Sequence, residues 1–226
     1  MRLDGITACV FDAYGTLFDV RAPAHAGGLV SADKAGVLAD LWRRKQLEYT
    51  WLRTLMGRHE DFWRVTGDAL DHALGALGLD ADRLRGPLLD AYRAPPAFAE
   101  VARVLGTLRT AGMRHAILSN GTPTMLASAV AGLDQSFDDV LSVEAIGVFK
   151  PHPMVYRLAC ERFGAAPEAI AYLSSNAWDV AGGAAFGFRA VWVNRTGQPS
   201  ERLPGAPMAT IRTLEGLLPL LGLATA

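Results

Sequence analysis

Val10-Phe11-Asp12-Ala13-Tyr14-Gly15-Thr16-Leu17-Phe18 decides how the rest of the chain is read. The apolar run Ile6 to Phe11 stops abruptly at a carboxylate, and Gly15 and Thr16 follow. A buried strand that delivers Asp12 to the lip of a parallel sheet has this pattern, and ligand sites of α/β proteins lie along that lip. Alone, the segment reads better as a solvated Asp opening a turn. Two positions after Asp12 stands Tyr14, where a second acid would change the chemistry.

Outward from this segment, short apolar runs recur near 6–11, 115–118, 139–143, 170–174 and 189–193, with an edge strand at 208–211. Helical patterns fill 97–111, 123–132, 153–164 and 178–186. Strands alternating with helices imply right-handed βαβ units and an α/β fold, a Rossmann-like, mostly parallel sheet. Residues 20–96 break the alternation, being helix-like with no convincing strand and too long for a loop. They read as a helical cap domain inserted into a core of 1–19 and 97–226, with Arg93-Ala94-Pro95-Pro96 at its exit. In its first long helix, about 34–57, Leu38, Leu41, Trp42, Tyr49, Leu52 and Met56 form one apolar stripe. Leu47, Trp51 and Leu55 form a second, and Arg43 shares a face with Leu47. Two apolar sides predict packing within the cap on one and against the core, a pocket or a second subunit on the other. By pattern alone Arg43 is a solvated charge.

Composition bounds the function classes. The 226 residues are 50% hydrophobic and 20% charged, ordinary for a globular protein, with a formal net charge of −1. That balance predicts neither nucleic acid nor an anionic membrane as partner. Met1-Arg2-Leu3-Asp4 lacks the long apolar stretch of a signal peptide, and no segment is long enough to span a bilayer. Cys9 and Cys160 form neither a disulfide framework nor a metal-ligand spacing, so both are expected as reduced core residues of a cytoplasmic protein.

Three further polar clusters follow apolar runs: Ser119-Asn120-Gly121-Thr122-Pro123, Val148-Phe149-Lys150-Pro151 and Ser174-Ser175-Asn176-Ala177-Trp178-Asp179. Each alone is an ordinary turn or helix cap. Together they bring a carboxylate, a hydroxyl, an ammonium and a second carboxylate to one sheet edge.

With these blocks the sequence resembles the haloacid dehalogenase superfamily, and within it the type II L-2-haloacid dehalogenases. The likeness rests on Phe11 to Asp19, Leu41-Trp42-Arg43, Lys45 to Arg53, Leu118-Ser119-Asn120-Gly121 and Ser174 to Asp179, nearly end to end. The resemblance implies a short 2-haloacid as substrate, with no cofactor and no metal. It makes Asp12 the nucleophile and Lys150 the cation that keeps Asp12 ionised. Ser119 anchors the substrate carboxylate, Arg43 and Asn120 receive the halide, and Asp179 positions or activates water with Ser174 and Asn176 in support. Thr16 hydrogen-bonds near Asp12, and Tyr156 matches a family position near Lys150. Tyr14, Leu47, Phe62 and Trp178 form an apolar wall, and a homodimer is expected. Arg44 departs from the family, which has a polar amide there.

The residues bear on the chemistry independently. A superfamily phosphatase needs an acid two positions after its nucleophile and acidic Mg²⁺ ligands in its fourth motif. Tyr14 and the pair Ser175 and Asn176 occupy those places, so phosphoryl transfer is disfavoured. A Mg²⁺-dependent phosphatase and a non-catalytic binding protein keeping the fold remain the alternatives.

Overall fold

A computed structural model describes residues 2–224; Met1, part of the opening stretch read above, lies outside the described residues. Six strands, all parallel, form one sheet in the order β3-β2-β1-β4-β5-β6. They are β1 (Ala8–Phe11), β2 (Arg114–Ser119), β3 (Asp139–Ser142), β4 (Ile170–Ser174), β5 (Arg189–Val193) and β6 (Ala209–Ile211). β1, β2 and β4 are buried nearly throughout, as their continuous apolar runs require of strands covered on both faces. The chain builds β2 and β3 to one side of β1, then returns to build β4 to β6 on the other. The strand order therefore reverses beside β1, and Asp12 follows directly at its carboxyl end.

Between β1 and β2 come α1 (Ala22–His25), α2 (Ala32–Met56), α3 (Phe62–Ala76), α4 (Ala81–Arg93) and α5 (Val101–Thr110). No strand occurs among residues 20–96. The Asp61 carboxylate caps α3 by accepting from Arg64 N–H, and Asp80 caps α4 through Arg83 N–H. Each cap contributes about 1 kcal/mol. α2 packs along α3, where the Trp42 indole donates to the Thr66 carbonyl, and it buries Ala35, Leu38 and Ala39 as well. Fully buried leucines such as Leu38 and Leu70 each contribute ~1.5–3 kcal/mol. The remaining helices are α6 (Pro123–Val130), α7 (Pro153–Phe163), α8 (Ala177–Phe186) and α9 (Leu217–Leu220).

The structure corrects three expectations. The helix expected from 97 starts at Val101, because residues 96–98 pair with 17–19 instead. Asp19 N–H donates to Pro96 O (2.8 Å), Phe98 N–H to Leu17 O (3.0 Å), and Phe18 bridges Ala97 antiparallel. The helical block thus leaves and rejoins the sheet through two linkers bonded side by side. The apolar stripes of α2 are buried only toward its start: Leu52, Met56 and Leu55 are 44%, 62% and 84% exposed. Finally, Cys9 is buried but Cys160 is only half-buried; both are free.

Candidate active site

Asp12 is nearly buried, and its two carboxylate oxygens have different surroundings. Oδ2 accepts from Thr16 Oγ1 (3.0 Å), Asn176 Nδ2 (2.8 Å) and Ser174 Oγ (3.3 Å). Oδ1 accepts from Lys150 Nζ alone, at 3.0 Å. The donors hold one another in turn. Thr16 Oγ1 accepts from Ser175 N–H (2.8 Å), and Ser174 Oγ accepts from Asn176 N–H (3.1 Å). Ser174 ends β4 and Asn176 precedes α8, so the strand-to-helix turn aims both side chains at Asp12.

Lys150 is 1% exposed. Its three N–H groups face three acceptors: Asp12 Oδ1, Asp179 Oδ2 at 3.1 Å and the Tyr172 phenol oxygen at 2.6 Å. An ammonium so deep is tolerable only with such pairing. Asn120 Oδ1 accepts from Lys150 N–H at 3.0 Å, tying this segment to the end of β2. Asp179, with no exposed surface, also accepts from Tyr172 (2.6 Å, Oδ2) and Tyr156 (2.8 Å, Oδ1). Burial pushes its carboxyl above the ordinary range; Lys150 opposes this, nearby Asp12 adds to it, and the two phenols oppose it. Burial also raises Tyr156 and Tyr172 well above an ordinary phenol, so both remain hydrogen-bond donors.

The helical block closes over this floor. Arg43 Nη2 donates to Tyr14 O and Asn176 Oδ1, both at 3.3 Å, and its Nη1 donates to Gln46 Oε1 at 2.7 Å. Gln46 is itself buried and donates to Thr66 Oγ1 and the Tyr92 hydroxyl. A small cavity is lined by Asp12, Tyr14, Arg43, Leu47, Phe62, Ser119, Asn120, Lys150, Asn176 and Trp178, with about 10 Å³ of free space. That is about the room one water needs. Tyr14 stacks on Tyr92 with ring centroids 5.9 Å apart, and a Cβ on Gly121 would stand 2.7 Å from its ring. Glycine at 121 is what admits that ring. Tyr14 keeps its proton, burial raising its phenol far above the usual value.

Of the expected site residues, ten line the cavity, and Thr16, Ser174 and Asp179 stand directly behind it. Arg43 is not the solvated charge that its pattern suggested. Tyr156, expected near Lys150 and among the substrate-binding residues, lies fully buried behind Asp179 and does not line the cavity. Arg44 is exposed, so the departure from the family there touches none of these contacts. Tyr172, Gln46 and Tyr92 have no role assigned from the sequence, and Ser175 enters there only as the residue in place of a metal ligand. A signal existed for Tyr172, which shares a strand face with Ser174 two residues on and pairs in register with Val10.

The model of the haloacid dehalogenase-like hydrolase family matches residues 6–187. The chain belongs to that family. Among its members, (S)-2-haloacid dehalogenase 1 of Pseudomonas sp. (strain CBS-3) is 46% identical to this hydrolase, over 88% of this chain and 89% of the relative. (S)-2-haloacid dehalogenase 4A of Burkholderia cepacia is 42% identical over 97% and 96%. The structure of L-2-haloacid dehalogenase from Xanthobacter autotrophicus, with chloropropionic acid covalently bound, superposes with a TM-score of 0.88. It is 40% identical, covering 97% of this hydrolase and 100% of that chain.

Proposed function

We propose that this chain hydrolyses short L-2-haloalkanoic acids to D-2-hydroxy acids and halide through an ester on Asp12. The observation that carries the reading is the unequal surroundings of the Asp12 oxygens, together with Tyr14 in the place of a phosphatase's acid. The relatives' names and the covalently bound chloropropionic acid in the Xanthobacter enzyme support it.

Oδ1, with one donor, has lone pairs free for attack at C2. The C–O bond forms as the C–X bond breaks, halide leaves with the bonding pair, and C2 inverts. Arg43 and the Asn120 amide receive the halide from the cavity side, where a guanidinium suits an anion leaving water behind. Ser119 Oγ accepts from Gly121 N–H, so its own proton is free for the substrate carboxylate. Tyr14, Leu47, Phe62 and Trp178 enclose the alkyl group. Water then attacks Cγ of Asp12. Negative charge develops on Oδ2, whose three donors, Thr16, Ser174 and Asn176, form an oxyanion hole for this step. Asp179, its carboxyl raised above the ordinary carboxylate range by burial, takes the water's proton, and Lys150 protonates the departing alkoxide oxygen. The new carboxylic acid passes its proton to Lys150, and Asp179 releases the proton it took from water to solvent, so that Asp12, Lys150 and Asp179 all return to their starting states.

A phosphatase reading fits these residues poorly. Asp179 is taken up by Lys150, Tyr172 and Tyr156, and Ser175 and Asn176 add only neutral oxygens beside Asp12, a poor donor set for Mg²⁺. One turnover with excess enzyme in ¹⁸O-water tests the mechanism. The label should enter the Asp12 carboxylate, the first hydroxy acid carrying an oxygen from Asp12. Label in that first product would overturn the ester. Halide release from L-2-chloropropionate should be indifferent to EDTA and to Mg²⁺.

The same reading makes residues 20–96 a cap domain that moves to admit substrate, since about 10 Å³ holds no haloacid. It also assigns the chain to the cytoplasm; among the described residues no helix is long and apolar enough to cross a membrane. Leu52, Leu55 and Met56, exposed at the end of α2, are the surface we assign to a homodimer. Light scattering should return twice the chain mass, and Leu55→Glu the single mass; a monomeric wild-type protein would remove the assignment.

A further inference from the structure

Tyr172 has no part in the steps above, yet its hydroxyl sits at their hub. It accepts from Lys150 Nζ at 2.6 Å and donates to Asp179 Oδ2 at 2.6 Å. Lys150 has three protons and three acceptors, and the phenol is the one neutral acceptor. Without it, one ammonium N–H would be left buried and unpaired. The surroundings of the ring, as opposed to the hydroxyl, are apolar: it packs against Tyr156 and Phe188 at 5.6 and 5.4 Å between centroids, with no exposed surface. A phenylalanine would fill that volume.

Helix α8 is built to keep this contact. Asp179 and Gly183 lie one turn apart on the face turned toward β4. A Cβ on Gly183 would stand 2.6 Å from the Tyr172 ring, so glycine there lets the helix approach closely enough for Asp179 to reach the phenol.

We propose that Tyr172 is a positioning residue of the hydrolytic half-reaction, fixing the Asp179 carboxylate and the Lys150 ammonium relative to the Asp12 ester. The proposal rests on the dehalogenase reading. Displacement of halide uses Asp12 Oδ1 with Arg43, Asn120 and Ser119, none of which the Tyr172 hydroxyl touches, and the bond from Lys150 to Oδ1 survives loss of the phenol. Ester hydrolysis uses Asp179 as base and Lys150 as acid, the two groups that Tyr172 bridges. The groups facing Asp179 are Lys150, Asp12, Tyr172 and Tyr156. Among them the Tyr172 bond favours the ionised carboxylate, so removing it makes Asp179 harder to ionise.

The test is Tyr172→Phe, followed by quenched-flow halide release and intact-protein mass spectrometry on L-2-chloropropionate. The halide burst should stay within about twofold of wild type, while hydrolysis of the Asp12 ester slows ~10-fold or more and the ester accumulates. The acid limb of the hydrolysis pH profile should move to higher pH, a shift that loss of packing alone would not produce. Equal slowing of both halves, or an unmoved acid limb, overturns the proposal. If the Phe variant does not fold, replacement of Tyr172 by 3-fluorotyrosine, a stronger donor, should move the limb to lower pH; no movement again overturns it. A wild-type protein that forms no Asp12 ester would instead overturn the dehalogenase reading beneath it, and this proposal with it.

Discussion

Asp12→Ala should abolish halide release from L-2-chloropropionate, a loss on the order of 10⁴-fold or more, while the fold survives. The oxygens that alanine removes take four donors with them, but three of these retain partners. Lys150 still donates to Asp179 and Tyr172, Thr16 to Ser175 Oγ, and Asn176 to the Tyr14 carbonyl. The buried cation therefore stays neutralised, which is the condition for the core to tolerate the change. Circular dichroism and thermal melting should resemble wild type, and no alkylated protein should appear by mass spectrometry. Residual halide release near the wild-type rate would move the nucleophile elsewhere and remove the basis of the mechanism.

The part of this site legible in the sequence is the part that strand ends carry. Asp12, Ser119 and Ser174 each end or directly follow an apolar run, and a parallel sheet brings such positions to one edge whatever else the chain does. Lys150 and Asp179 follow the same logic at one remove, through turns. Arg43 was ambiguous because helical spacing says which residues share a face, not what the face meets; the resemblance to known dehalogenases decided it. What stayed hidden depends on lateral neighbours. Gln46 and Tyr92 meet only because α2 and α4 flank α3, and neither spacing announces a hydrogen bond 46 residues apart. Tyr172 sits in a run that reads as plain strand core, and its hydroxyl matters only once Lys150 and Asp179 arrive from either side. Tyr156 stands near Lys150 as expected, but it approaches through Asp179 and from behind, which its position in the sequence does not encode. The helix expected from residue 97 starts late because backbone pairing with residues 17–19 takes the intervening segment, a contact that local propensity does not encode.

Lys150→Met should be the most damaging single change, costing both catalysis and stability. Methionine keeps the stem and deletes the charge, leaving Asp12 and Asp179 buried with no cation between them. Breaking such a pair costs about 3–5 kcal/mol at neutral pH. One carboxyl would respond by holding its proton, because two buried like charges cannot both stay ionised cheaply. If Asp12 holds it, the nucleophile is lost; if Asp179 does, the base is lost. In either case halide and hydroxy acid formation should fall on the order of 10³-fold or more. The sign of the pH dependence follows. A carboxyl whose folded-state pKa exceeds its unfolded value binds more protons when folded, so stability rises as pH falls through that folded value. Urea unfolding of Lys150→Met should therefore show a deficit against wild type that is largest at neutral pH and narrows on acidification. A deficit that is flat with pH would mean the lost stability is packing alone, and that the ammonium does not hold the two carboxylates together.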